Sequence, residues 1–237
     1  MRNHSEVQLQ ISGDYALFSD IIVSPGGEKT SYQIPTYEAV KGILQSVFWK
    51  PTFEWVIDSI RVMNPIRTER VGVKTLKYNE GGNDLSYYTY LRDVKYQVKA
   101  HFRWNMNRPE LAQDRNECKH SCMANRMIKA GGRRDVFLGT RDCQAYVEPC
   151  LFGEGDGYYD HSGDIPYGIM YHGITYPDEA IRAEDKGCMT IRLWTPVMRN
   201  GIIQFDKPED CPYTRKIKKM PVKRFHDPHA TAEQEEA

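Results

Sequence analysis

A lysine and a histidine stand side by side at positions 119 and 120. They lie within the stretch Asp-Arg-Asn-Glu-Cys-Lys-His-Ser-Cys-Met-Ala-Asn-Arg-Met-Ile-Lys-Ala-Gly-Gly-Arg-Arg-Asp, which runs from Asp114 to Asp135. RNA breaks its own backbone when a 2′-hydroxyl loses a proton and the leaving 5′-oxygen gains one. An imidazole that titrates near neutrality can serve either step, and a lysine can offset the charge growing on the phosphoryl oxygens. Lys119 and His120 are therefore a candidate catalytic pair that requires neither metal nor cofactor. The plain alternative is a chance neighbour pair, since most histidines are structural or merely exposed. Downstream, Gly131-Gly132-Arg133-Arg134 joins residues that let a phosphate approach the backbone to guanidinium groups that grip it bidentately. With Arg115 they form the candidate phosphate contacts, weighed against a helix cap followed by two solvated arginines.

These residues need a helix to place them. Asp114 or Asn116 can cap its start, and Glu117, three after Asp114, resembles a capping box. Cys118, Cys122, Met123, Met127 and Ala130 are expected to form its buried stripe, with Gly131 as the stop. Lys119 and His120 then fall in the first turn, where free N–H groups and the helix dipole favour an anion.

Around that helix the chain alternates. Val7, Leu9 and Ile11 opposite Gln8, Gln10 and Ser12 predict a first strand, continued by Tyr15, Leu17 and Phe18. After the loop Ser24-Pro25-Gly26-Gly27, Thr36 caps a helix whose apolar face is Ala39, Val40, Ile43, Leu44 and Val47, ended by Pro51. Phe53 to Met63 is a second strand running into a basic loop. Tyr87-Tyr88-Thr89-Tyr90 reads as an aromatic strand end or, less readily, a base-stacking loop. Val94 to Trp104 alternates apolar residues against Lys95, Gln97, Lys99, His101 and Arg103, a half-buried strand with one cationic face. Asp142 to Cys150 gives the next strand. Strand, helix, strand, strand, helix, strand is the ferredoxin-like (RRM-like) order of an α+β fold. Beyond a turn-rich linker, Phe152 to Tyr159, the short strand candidates Gly168–Ile174, Cys188–Pro196 and Gly201–Phe205 suggest a small antiparallel β-sheet. The expected division is residues 1–150, 151–225 and a loose tail, 226–237.

The 237 residues are long enough for two modest domains or one large one, and they carry no net charge. Their distribution is uneven: Arg61 to Tyr146 holds 17 Lys and Arg against 9 Asp and Glu, while Val147 to Gly187 holds 9 acids against 2 bases. A basic block rich in tyrosine beside an acidic one suggests one region facing a polyanion and another facing elsewhere, or plain surface variation. The six cysteines contain no C-x-x-C pair, so a zinc finger is not expected. The aspartates from Asp156 to Asp178 lack EF-hand spacing. His226-Asp227-Pro228-His229, in the tail, is assigned no site. The start, Met1 to His4, reads as no secretory leader and no apolar run is long enough to span a bilayer, so a reduced cytoplasmic setting is expected.

Taken together, several segments resemble a known family. They are Gly13-Asp14-Tyr15-Ala16-Leu17-Phe18; Ile34-Pro35-Thr36-Tyr37 with Lys41-Gly42-Ile43; Trp49-Lys50-Pro51; Arg115-Asn116-Glu117 with Lys119-His120; Gly131-Gly132-Arg133-Arg134-Asp135 with Phe137-Leu138-Gly139; and Arg192-Leu193-Trp194. In this order they resemble the CRISPR-associated repeat-RNA endonucleases of type I-C systems, the "five-d" subunit of the RAMP superfamily. The resemblance implies a ferredoxin-like domain plus a small β domain, and metal-independent cleavage of repeat RNA (pre-crRNA). It further implies retention of the 5′ handle among the other subunits of the interference complex, with target DNA met only indirectly. It maps the family's catalytic pair onto Lys119 and His120. It also implies a tyrosine that assists catalysis just before Trp49-Lys50-Pro51, where this chain has Phe48, which has no proton to exchange.

Overall fold

Strand β1 (Glu6–Ala16) buries Val7, Leu9 and Ile11 and turns Gln8, Gln10 and Ser12 to its other side, as the alternation predicts. The computed structural model describes residues 5–20, 28–77 and 81–222. The loop at Ser24 to Gly27 and the tail from His226 lie outside the described residues. Helix α1 (Tyr37–Val47) begins where the Thr36 hydroxyl accepts the Ala39 N–H at 3.2 Å and ends at Phe48, before Pro51. The remaining elements follow in chain order: β2 (Phe53–Val62), β3 (Thr68–Leu76), β4 (Asn83–Trp104), a 3₁₀ turn (Pro109–Asp114), α2 (Glu117–Lys129), β5 (Val136–Phe137) and β6 (Gln144–Pro149). After them come β7 (Asp164–Pro166), β8 (Met170–Thr175), β9 (Cys188–Trp194), β10 (Val197–Arg199), β11 (Ile202–Gln204) and β12 (Tyr213–Lys219).

The fold is mainly β with two α-helices among the described residues. A nine-stranded sheet has the order β5-β6-β1-β4-β2-β11-β10-β7, with β3 paired to the outer half of β4. Its centre, β6-β1-β4-β2, is antiparallel throughout. β8, β9 and β12 make a separate three-stranded sheet. Residues beyond 150 thus serve both sheets, because β11 pairs with β2 and carries β10 and β7 outward.

Two expectations change. The basic loop after Met63 is the strand β3, and the tyrosine segment is continuous with the cationic strand as one 22-residue β4. The linker after Cys150 is packed down: Arg61, buried in β2, holds Asp160 at 2.6 Å and the Gly155 carbonyl at 2.8 Å.

A buried charge cluster joins α1 to the smaller sheet. Lys41 meets Glu179 at 2.5 Å, while Arg192 meets Glu38 at 3.4 Å, the His172 ring at 3.3 Å and the Thr175 hydroxyl. The Tyr37 ring stacks on His172 with centroids 4.3 Å apart. Gly173 is required beside them, because a Cβ there would overlap the Glu38 carboxylate.

Candidate active site

The start of α2 is fixed by Asn116, whose side chain accepts the Lys119 N–H at 3.0 Å. Asp114 is not the cap; it closes the preceding 3₁₀ turn. This phase rotates the helix away from the expected stripe. His120, Ala124 and Ile128 are its buried residues, Met123 and Met127 flank them, and Cys118, Cys122 and Ala130 are exposed. The reason is a ring-lined pocket supplied by other elements, which suits a flat imidazole better than a thiol. Phe53, Trp104, Phe48 and Phe102 surround the His120 ring with centroids at 5.3, 5.7, 6.3 and 6.3 Å.

His120 is 0 % exposed. Its Nε2 lies 2.7 Å from the Asp114 carbonyl oxygen and 3.4 Å from that residue's carboxylate. A carbonyl only accepts, so Nε2 carries a proton toward it. Nδ1 is buried with no hydrogen-bond partner. Lys119, by contrast, is half exposed and its Nζ sits 2.5 Å from Asp114 Oδ1. The other carboxylate oxygen accepts from the Thr52 hydroxyl at 2.7 Å. Hydrogen bonds from Lys119 and Thr52 hold the Asp114 carboxyl below its ordinary range. Asp114 therefore bridges the two candidate catalytic residues, a role the sequence signalled only as a possible cap.

The expected phosphate contacts fall into separate places. Arg115 is committed to structure: its Nη2 donates to the Asn105 and Arg108 carbonyls at 3.0 and 3.1 Å, and its Nε is buried without a partner. Gly131 and Gly132 have φ of 82° and 118°, and their N–H groups donate to the Ile128 and Met127 carbonyls at 3.1 and 2.9 Å. That is a Schellman cap, which spends both N–H groups inside the helix end. The Arg133 and Arg134 N–H groups donate to the Val47 and Ser46 carbonyls, tying the ends of both helices together. The N–H groups of this loop are thus all used, which leaves the two exposed guanidinium groups to meet a phosphate, with no carboxylate against them among the described residues. From Lys119 to the end of α2 at Lys129, about 15 Å of helix lies between them and the catalytic candidate.

The cationic face of β4 is largely neutralised. Lys99 meets Glu6 at 3.3 Å, His101 meets Asp58 at 2.9 Å, and Arg103 meets Glu209 at 2.9 Å, while Gln97 is buried under the Glu154 carbonyl. No group of three or more His, Cys, Asp or Glu gathers as a metal site among the described residues, and no described helix is long and apolar enough to cross a membrane.

Comparison with known proteins rests on this frame. The Cas5d family, described as CRISPR-associated protein (Cas_Cas5), matches residues 6–206. The chain belongs to the Cas5d family. A relative from Mannheimia succiniciproducens, named CRISPR pre-crRNA endoribonuclease Cas5d, is 29 % identical over 169 residues, covering 62 % of this chain and 68 % of its own. A protein of the same name from Thermus thermophilus is 29 % identical over 190 residues, covering 76 % and 78 %. Among solved structures, a CRISPR-associated protein superposes with a TM-score of 0.71 at 34 % identity, over 89 % of this chain and 96 % of the other. A functionally uncharacterized protein from Streptococcus mutans gives 0.72 at 37 % identity with the same coverage. Within this Cas5d chain, Phe48 is the helix C-cap and one wall of the His120 pocket. The position where the resemblance implies a tyrosine is therefore at the site itself.

Proposed function

We propose that this Cas5d chain is an endoribonuclease that cleaves CRISPR repeat RNA without a metal ion, leaving a 2′,3′-cyclic phosphate. The juxtaposition of Lys119 and His120 on the two sides of Asp114, in a chain of this family, is the observation that carries the reading. In this mechanism the exposed Lys119 ammonium leaves Asp114 for the scissile phosphate, where it stabilises the pentavalent oxyanion. The Pro109–Asp114 turn, none of whose residues is buried, then gives up the Thr52 and His120 contacts of Asp114 to open the site. His120, uncovered on its Nε2 side, moves its proton to Nδ1, so that the freed Nε2 accepts the 2′-hydroxyl proton and then returns it to the leaving 5′-oxygen. The Asp114 carboxylate steadies the imidazolium that forms. The central strand order β6-β1-β4-β2 supports a ferredoxin-like unit, within residues 1–150, as the carrier of this site. Of residues 151–225, β8, β9 and β12 are assigned to a smaller β unit that faces other subunits of a type I-C interference complex in the cytoplasm. The product's 5′ handle stays bound there, and target DNA is met only through the guide.

A second reading has its own support. The complete burial of His120 and the absence of a hydroxyl at Phe48 favour a subunit that binds the handle without cutting it. One experiment separates the readings. The purified protein is incubated with its cognate repeat hairpin in EDTA, and the product ends are analysed. A 2′,3′-cyclic phosphate is expected. Tight binding without cleavage selects the binding subunit, and cleavage restored only by Mg²⁺ selects a metal-dependent nuclease, such as one acting on DNA.

A further inference from the structure

The ends of α1 and α2 enclose a cleft of about 220 Å³ lined by Gly42, Gln45, Ser46, Trp49, Arg133 and Arg134. Trp49 is 41 % exposed there, although two of the other three tryptophans, Trp55 and Trp194, are each 2 % exposed. The indole thus stands at the surface beside two guanidinium groups with no carboxylate partner among the described residues, an aromatic face next to cations. None of the six lining residues is acidic. Gln45 has no side-chain hydrogen bond among the described residues, so its amide offers a donor and an acceptor to a ligand edge.

We propose that this cleft holds one unstacked nucleotide of a bound RNA strand, the base lying on Trp49 and its phosphates against Arg133 and Arg134. The proposal deepens the RNA-binding reading above and rests on it. Aromatic faces take unstacked bases of any sequence, and guanidinium groups take the adjoining phosphates. A purely structural role for the arginines is poorly supported. Cations near helix C-termini do offset the dipole, yet the carbonyls that end both helices here already receive N–H groups from residues 131–134. That role also leaves the exposed indole without a reason. The cleft is not isolated. A second one, of about 440 Å³, shares Gly42 and Ser46 with it and continues past Phe18, Phe137 and Tyr171. On the other side, Phe48 passes from Trp49 to the His120 pocket.

The test uses the full chain and two probes, an oligouridine octamer and an abasic octamer of equal length. The uridine octamer should quench tryptophan fluorescence, and the quench should vanish in Trp49→Phe, which still stacks and keeps most of the affinity. Trp49→Ala should weaken the uridine octamer about tenfold and leave the abasic octamer unchanged. Arg133→Ala with Arg134→Ala should weaken both octamers and flatten the dependence of affinity on salt. Thermal melts confirm that each variant is folded. Wild-type affinity of Trp49→Ala for both octamers, equal loss on both, or a quench that survives in Trp49→Phe overturns the proposal. Absence of any quench also overturns it. The readout is binding, so a protein that quenches without cutting keeps this site and loses only its nuclease reading. Normal cleavage with an unquenched Trp49 removes this site alone.

Discussion

Lys119 and His120 divide the work of cleavage by their exposure, one meeting solvent and the other walled in by four rings. Their substitutions should therefore differ in kind. Lys119→Ala should slow single-turnover cleavage by roughly 10²–10⁴-fold. Its effect on folding should be small, because an exposed ion pair contributes about 1 kcal/mol or less. His120→Ala should abolish cleavage while repeat affinity stays within a few-fold. It should also cost about 1–3 kcal/mol of stability, from the cavity it leaves and the unpaired Asp114 carbonyl. Unfolding curves measured beside cleavage rates separate the two effects. A folded His120→Ala protein that cleaves at the wild-type rate would make the histidine a core residue only. The adjacency of the pair and its place in the first helical turn were legible in the sequence. The burial was not, because residues 48, 53, 102 and 104 arrive at the ring from three separate segments and leave no local pattern.

At the scale of elements, apolar periodicity was readable wherever one face of a strand or helix meets the core. β1, α1 and β2 appear where the alternation and caps place them. β3 is hard to read because neither of its faces is fully buried, so only Val71 and Val73 mark its alternation. The error over Cys118 and Cys122 has a related origin: thiols and a histidine compete for one helical stripe, and the aromatic pocket decides. Gly139 shows what local sequence does reveal. Its φ is 92°, and a Cβ there would overlap the Leu17 carbonyl, whose neighbouring strand end is held by Leu138. Gly139→Ala should therefore cost about 2–4 kcal/mol, from backbone strain plus overpacking. A denaturant melt that shows no loss would mean that this turn relaxes freely.

Over the whole molecule, charges distant in the chain answer one another. Arg61 with Asp160 and Arg108 with Asp178 join the basic and acidic blocks, and Arg103 with Glu209 and Lys41 with Glu179 likewise join residues far apart in the chain, which is why composition could not disclose them. The same buried cluster makes stability depend on pH. Burial, reinforced by Arg192, pushes His172 down from 6.5 to about 3. The unfolded chain takes up that proton as pH falls below about 6.5 and the folded one does not. Stability from this group is therefore full above 6.5 and declines toward about 3, by up to about 1.4 kcal/mol per pH unit. His172→Gln should therefore gain stability relative to wild type as pH falls from 6.5 to 4.5 in paired urea melts; parallel curves would exclude it. The pairing of β11 with β2 carries a further consequence, for synthesis. The outer edge of β2 is complete at Val62, but its neighbour ends at Gln204. On a ribosome adding 5–20 residues per second, that edge waits roughly 7–28 s for its partner. During that interval the nascent chain presents a bare, mostly apolar strand edge, so slow translation between positions 62 and 204 should raise its demand for chaperones and its loss to aggregation.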